Sequence, residues 1–225
     1  MHTGTGQVVE LILEDGGRVA RLSCASSLIP SPGQYLLVSH APDSPLPVPV
    51  FYTDSAPDGF IAAPLGPNPW SPGRDVYLRG PLGRGFELPL TARKVALIAF
   101  DSPPVRLRGL IKPALKQQAA VALVSDFASE ELPDEVEVQP RSALPDILNW
   151  ADFIAIDVAR ENLQRLGERF GLMNQLPAVR AAQVLVRTPM PCGGIADCGV
   201  CGVQLKSAWR LACKDGPVLD WREWG

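Results

Sequence analysis

The chain has 225 residues, 46% of them hydrophobic, and a formal charge of -3. This length accommodates one large domain or two small ones, each with its own core, and we expect two. The weak negative charge argues against a nucleic-acid-binding surface, which needs clustered Lys and Arg. No apolar run approaches the roughly 20 residues of a membrane helix, and the acidic N-terminal segment does not form a secretory signal. We therefore expect a cytoplasmic protein without a membrane span.

The first part of the chain has the pattern of an all-β domain. Short β-forming segments are separated by turns rich in Gly, Pro and Asp: QVVELIL, RVARLSC, QYLLVSH, GFIAAPL and RDVYLRG. Many short strands with regular turn signals are typical of antiparallel barrels or sandwiches. We predict such a β-barrel domain over residues 1–92.

The pattern changes near Arg93 to apolar strand-like runs that alternate with helix-like stretches. The strand-like runs are VALIAF, AVALVSD, VEVQP, DFIAIDV and QVLVRT. Strands that alternate with helices indicate a parallel sheet covered on both faces. We predict a parallel α/β domain over residues 93–188.

Four of the five cysteines are concentrated in the last part of the chain, with the spacing C-x5-C-x2-C-x11-C. They are Cys192, Cys198, Cys201 and Cys213. Four thiolates are the ligand set of an iron–sulfur cluster, and two ligands separated by two residues let one tight loop enclose it. Glycines at 193, 194, 199 and 202 permit positive φ and close approach of backbone N–H groups. We predict a [2Fe–2S] cluster on these cysteines, held by the segment 189–225, whose irregular sequence is too short for a core of its own.

Other interpretations of the cysteines remain open. Four cysteines also form structural zinc sites, although zinc ribbons favour two C-x2-C pairs and this chain has one. Plant-type ferredoxins have C-x4-C-x2-C and a distant fourth Cys, whereas here the first gap is one residue longer and the last gap is short. Unligated or disulfide-bonded cysteines are a third alternative. Cys24 stands alone in an apolar stretch and is predicted to be a small buried side chain.

The cysteine segment resembles a known family. MPCGGIADCGVC, followed by CKDGPVLDWRE, is similar to the iron–sulfur tail of the electron-transfer subunit of NAD-dependent dihydroorotate dehydrogenases, in the ferredoxin-reductase superfamily. That tail has M-x-C-G-x-G-x-C-x-x-C and later C-x-D-G-P-V-F. SPGQYLLV resembles the PGQF strand of the family, and RGPLGRGFEL resembles its GPLGxGF turn.

The resemblance implies a ferredoxin-reductase-like architecture. Residues 1–92 would be the FAD-binding-type barrel, 93–188 the nicotinamide-binding-like domain and 189–225 the cluster-binding segment. In that family FAD lies between the domains and relays electrons from NADH to the cluster, and from there to a catalytic partner subunit. By resemblance, this chain is an electron-transfer subunit of a hetero-oligomeric oxidoreductase and is not catalytic alone.

The flavin motif of the family is only partly present. The family has R-x-Y-[ST], whose Arg contacts the pyrophosphate, whereas this chain has V-F-Y-T, with Val50 in place of the charge. The G-x-G-T segment of the family corresponds to LGPNPWSPG here, where proline replaces N–H donors. The residues that remain for FAD are Tyr52, Thr53, Gly80, Gly83 and Gly85. The sequence leaves FAD binding open.

The nicotinamide site is predicted to be lost. A dinucleotide site needs a glycine-rich turn after a strand, so that the pyrophosphate can approach backbone N–H groups. Here the strand VALIAF is followed by Asp101, whose charge opposes the phosphates, and by Pro103 and Pro104, which have no N–H. The C-G-P turn of the family is I-D-V at 156–158. We expect no NAD(H) binding, unless a different loop holds the phosphates.

Three functions follow from these observations. The first is an electron-transfer subunit that passes electrons through the cluster to or from a partner oxidoreductase subunit. The second is an FAD-containing NAD(P)H reductase subunit. The third is a structural assembly module in which zinc crosslinks the tail.

Overall fold

The computed structural model describes residues 2–14, 17–42, 44, 46–66, 70–127, 132–169 and 181–224. These residues form a closed β-barrel, a six-stranded sheet flanked by short helices, and a two-stranded hairpin. A barrel followed by an α/β sheet confirms the predicted ferredoxin-reductase-like two-domain architecture.

The barrel consists of six antiparallel strands in the order β1-β2-β5-β4-β3-β6. They are β1 (His2–Glu14), β2 (Gly17–Cys24), β3 (Tyr35–Ser39), β4 (Val48–Ala56), β5 (Gly59–Pro64) and β6 (Asp75–Leu82). Large apolar side chains such as Leu22, Leu36 and Phe60 fill its interior. The strand-like segments of the sequence correspond to five of these strands. The strand-like segments did not include β4, because Pro47 and Pro49 lie at its start and proline is uncommon within strands.

The second domain is a mixed sheet in the order β14-β11-β10-β7-β8-β9. The strands after the barrel are β7 (Lys94–Ala99), β8 (Ala120–Val124), β9 (Val136–Gln139), β10 (Phe153–Ala159), β11 (Ala181–Arg187), β12 (Gly202–Gln204), β13 (Trp209–Leu211) and β14 (Val218–Asp220). The helices are α1 (Ile111–Lys116), α2 (Leu144–Trp150) and α3 (Leu163–Arg169). Within the described ranges, no helix is both long enough and apolar enough to cross a membrane.

One strand departs from the predicted parallel sheet. Strand β14 comes from the C-terminal tail and pairs antiparallel with β11, whereas the neighbouring strands β7 to β11 pair in parallel. An antiparallel edge strand on an otherwise parallel sheet is a common arrangement. It arises here because the tail turns back after Cys213 and reaches the exposed edge of β11.

The tail shares its core with both domains. Cys201, Val203 and Leu219 belong to one buried cluster that also contains Tyr35 of the barrel and Ile156 of the sheet. Burial of apolar surface in a common core contributes about 25 cal/mol per Å². The cysteine segment is therefore fixed against the body of the protein by packing.

Candidate functional site

The four cysteines lie at the junction of the barrel, the sheet and the tail. Cys192 is half-buried and Cys198 exposed, whereas Cys201 and Cys213 are buried. The loop between β11 and β12 has positive φ at Gly193, Gly194 and Gly199, as the glycine pattern predicts. Gly202 differs, because it begins β12 and packs against the ring of Trp209.

The cysteines meet as two pairs. Cys192 lies close enough to Cys198 for the two thiols to interact, and Cys213 is placed in the same way beside Cys201. Across the described parts of the chain, no three or more His, Cys, Asp or Glu side chains are grouped so that they could hold a metal ion. The sulfurs are thus arranged as an outer pair near the surface and an inner pair in the core.

The two pairs lie in different electrostatic surroundings. Slight burial acts to raise the pKa of the Cys192 thiol, but backbone hydrogen bonds at Asp197, Cys198 and Ile195, together with the Cys198 thiol, lower it to about 6. The pKa of the Cys213 thiol is raised to about 12, mainly by burial and to a smaller extent by the neighbouring Cys201. The loop therefore offers hydrogen-bond donors to negative charge on the outer pair.

Tyr35 is a buried residue at the centre of the cysteine site. Its side chain is 0% exposed, and its hydroxyl donates a 2.9 Å hydrogen bond to the carbonyl of Cys213. A Cβ added at Gly194 would lie 2.5 Å from that hydroxyl, so only glycine fits there. Burial raises the pKa of Tyr35 far above its usual range, and nearby cysteines raise it further. Sequence reasoning missed this residue, although SPGQYLLV shows Tyr where the PGQF strand has Phe.

A cleft of about 570 Å³ opens beside the outer pair. It lies against β1, β3 and β6, and Cys192 and Arg79 both line it. Several hydroxyl-bearing side chains share its wall, among them Thr3, Thr5 and Ser39. Cys192 can therefore be approached from the barrel side.

The β4 residues predicted to contact flavin pack against other parts of the chain, with Tyr52 partly exposed and Thr53 buried. The Tyr52 ring stacks on Phe60, with 6.1 Å between centroids, and a Cβ added at Gly109 would lie 2.7 Å from the Tyr52 ring. Val50 lies in the barrel interior. Thr53 is buried, and its hydroxyl has no hydrogen-bond partner among the residues that the structure describes. In this arrangement the loop that contains Gly109 lies where a planar ligand on Tyr52 would sit.

The glycine turn predicted for flavin contacts the chain itself. A Cβ added at Gly83 would lie 2.5 Å from the carbonyl oxygen of Gly216, and one added at Gly85 would lie 2.6 Å from the carbonyl oxygen of Pro32. A Cβ added at Gly80 would lie 2.5 Å from a methyl group of Leu36. Close backbone approach therefore accounts for these glycines without a ligand. The second flavin segment, LGPNPWSPG, falls partly outside the described residues. Among the described flavin candidates, Tyr52, Gly83 and Gly85 remain partly exposed.

Charged side chains fill the carboxyl edge of the sheet. Asp157, at the end of β10, is 0% exposed and accepts hydrogen bonds from Arg106 Nε at 2.9 Å and Arg187 Nε at 2.8 Å. Arg187 also donates to Asp101. Ser102 joins the network by accepting from Arg106 at 3.0 Å and lying 3.3 Å from Asp157. Two carboxylates and two guanidinium groups thus neutralise one another.

This network occupies the edge where doubly wound sheets bind dinucleotides. The Asp101 carboxylate accepts the backbone N–H of Ala159 at 3.0 Å and the Asn162 amide at 2.6 Å. Those donors are therefore already bonded within the chain. Sequence reasoning identified Asp101 and Asp157 as obstacles to NAD(H) but missed Arg106 and Arg187, since distant arginines give no local signal.

Comparison with known proteins gives the fold. No protein-family model matches the chain. It is similar to the NADH-dependent reduced ferredoxin–NADP oxidoreductase studied for flavin-based electron bifurcation, with a TM-score of 0.72, 16% identity, and 97% of this chain and 90% of that chain covered. The ferredoxin reductase in carbazole 1,9a-dioxygenase aligns with a TM-score of 0.59, 18% identity, and 79% and 65% coverage.

A third structure extends the same likeness. A ferredoxin–NADP⁺ reductase from Neisseria gonorrhoeae with bound FAD and NADP aligns with a TM-score of 0.59, 11% identity, and 84% and 99% coverage. At these identities the likeness concerns the fold. The chain has the two-domain fold of ferredoxin–NADP reductase-like proteins.

Proposed function

We propose that this chain is an electron-transfer subunit that holds a [2Fe–2S] cluster on Cys192, Cys198, Cys201 and Cys213. The observation that carries the proposal is that four cysteines meet as two pairs, with three of them on the loop between β11 and β12 and Cys213 after β13. Each iron of such a cluster takes two cysteines. By analogy with plant-type clusters, the first two cysteines hold one iron and the last two hold the other.

The donor chemistry of the site fits this group. Four cysteine sulfurs would form the complete ligand set, and backbone hydrogen bonds converge on Cys192. Such donors offset the negative charge of thiolates and influence the reduction potential. When bound, the cluster supplies one-electron transfer. The residues of the chain orient the loop, keep water from Cys201 and Cys213, and leave Cys198 at the surface.

The exposed side of the loop suits a protein partner. Ile195 is 61% exposed, and Val200 and Trp209 are 42% and 67% exposed. Exposed apolar groups near a redox site favour protein docking. We propose a partner oxidoreductase subunit that exchanges electrons there, in the manner of the dihydroorotate dehydrogenase electron-transfer subunit that the tail resembles.

Anaerobic purification with analysis of iron and acid-labile sulfide tests the proposal. We expect about two irons and two sulfides per chain, with a visible spectrum that dithionite bleaches. Zinc without iron or sulfide would select the structural module instead. Co-expression with candidate dehydrogenase subunits then tests the partner, and a chain that never exchanges electrons with any of them contradicts the relay.

The alternative function is an FAD-containing reductase. The fold is shared with a reductase that binds FAD, and the unpartnered hydroxyl of Thr53 is a group that a flavin could satisfy. Against it stand the covered Tyr52 ring and the missing Arg. We therefore treat the electron-transfer subunit as the leading proposal.

Any flavin is expected to bind weakly. Loss of a charge-assisted contact to phosphate costs about 1.5–3 kcal/mol, or about a tenfold to hundredfold loss of affinity. FAD added to the protein should therefore separate from it on a desalting column. The measurement is the absorbance ratio of flavin to protein after the column. Stoichiometric FAD that survives gel filtration would show that other residues replace the missing Arg.

NAD(H) is expected not to bind. The donors at the carboxyl edge of the sheet are bonded to Asp101, and Asp157 brings a second carboxylate to the same edge. Isothermal titration with NADH and NADPH under anaerobic conditions should give no heat of binding at micromolar concentrations. Micromolar affinity, or bleaching of the cluster by NADH without a partner, would contradict this prediction and favour the reductase.

A further inference from the structure

Arg79 reaches the cysteine loop from the barrel. Its guanidinium donates a hydrogen bond to the carbonyl of Gly193, the residue that follows Cys192. Arg79 and Cys192 also line the same cleft. A permanent positive charge is therefore held beside the outer cysteine pair, on a strand that the barrel keeps rigid.

Arg160 reaches the same loop from the α/β domain. It begins the 3-10 turn after β10 and donates to the carbonyls of Val200 and Gly202, the second at 3.4 Å. These carbonyls lie on either side of Cys201. Two arginines from two domains thus hold the loop at both of its ends.

The direction of these bonds has a chemical consequence. A carbonyl that accepts a hydrogen bond from a guanidinium is held in place, so the two arginines fix the backbone of the loop beside the sulfurs and keep positive charge next to it. Fixed positive charges close to a group that becomes more negative on reduction favour its reduced state.

We infer that Arg79 and Arg160 are positioning residues that fix the cysteine loop and raise the reduction potential of the cluster. This inference rests on the proposed function. Tyr35 supplies an uncharged comparison, because its hydroxyl holds the carbonyl of Cys213 at 2.9 Å. Removal of the Tyr35 hydroxyl should loosen the site with little change in the reduction potential. Removal of either arginine should loosen the site and also lower the reduction potential.

Potentiometric titration of the cluster, followed by electron paramagnetic resonance, tests the inference. Arg79→Gln and Arg160→Gln should each shift the reduction equilibrium about tenfold toward the oxidised form, or about 59 mV more negative for one electron. Arg79→Lys keeps the charge and should stay near the wild-type potential. Tyr35→Phe should lose iron faster than wild type at an almost unchanged potential. Lys206→Gln removes an exposed charge from the same tail and serves as the matched control.

The outcomes separate this inference from the proposed function. A wild-type protein without iron and sulfide overturns both. The inference alone is overturned if the wild-type protein holds the cluster but the Arg79→Gln and Arg160→Gln variants have the same reduction potential as Lys206→Gln. Should the glutamine variants fail to assemble a cluster while Arg79→Lys assembles one, that difference supports the role of the charge in fixing the loop. A shifted potential in Arg79→Lys, or loss of the cluster from it as well, contradicts that role.

Discussion

Serine substitution at any one of Cys192, Cys198, Cys201 and Cys213 is expected to abolish the visible absorption of the anaerobically purified protein. Each substitution removes one thiolate, which opens a coordination position and exposes the cluster to solvent and oxygen. The measurement is the visible spectrum together with iron and acid-labile sulfide per chain. We expect complete loss in all four variants.

Cys24→Ser is the matched control. Cys24 is half-buried beside the barrel core, and burial raises the pKa of its thiol. It is partly exposed rather than buried as the sequence predicted. It lies on the barrel, apart from the four cysteines, so its substitution should leave the spectrum unchanged. Full iron and sulfide in any of the four single variants would remove that cysteine from the ligand set.

The inner and outer pairs should respond differently in stability. Cys201 and Cys213 are 1% and 3% exposed, so a serine hydroxyl there is buried, at a cost of about 1–3 kcal/mol if it finds no partner. Cys198 is exposed, and its substitution should cost the cluster but little intrinsic stability. Comparison of the metal-free proteins by thermal melting separates these two effects.

Asp157→Asn is expected to destabilise the fold by about 3–5 kcal/mol. The Asp157 carboxylate is fully buried and faces both Arg106 and Arg187. Without its charge, the two guanidinium groups share Asp101 alone, and one buried charge is left without compensation. The arginines cannot relieve this by losing a proton, because guanidinium remains charged in proteins. The measurement is the free energy of unfolding from urea titrations followed by circular dichroism.

Lys112→Gln provides the contrast. Lys112 pairs with Asp54 at 2.7 Å, but its side chain is 56% exposed, and exposed pairs contribute about 0–1 kcal/mol. The difference between the two variants isolates the effect of burial. If the free energy of unfolding of Asp157→Asn is within about 1 kcal/mol of the wild-type value, the network contributes little to the stability of the fold.

Most of the architecture could be predicted from the sequence. Short β-forming segments before residue 90 and alternating strand-like and helix-like runs after it indicated a barrel and an α/β sheet, because strand and helix periodicity are local properties of the chain. Strand β4 and the antiparallel pairing of β14 were not predicted. The spacing of Cys192, Cys198, Cys201 and Cys213 likewise specified the candidate ligands without a structure. The glycines at 193, 194 and 199 were predicted for the same reason, since a turn with positive φ restricts the residue that occupies it.

The distant residues that meet these groups became visible only in the folded chain. Tyr35 reaches Cys213 across 178 positions of sequence, and Arg79 reaches Gly193 across 114. Arg187 similarly pairs with Asp101 through the order of strands in the sheet. No local periodicity encodes such contacts, because they depend on how strands pair and how the tail packs on the barrel. For the same physical reason, the covering of Tyr52 by Gly109 could be seen only once the two domains were placed together.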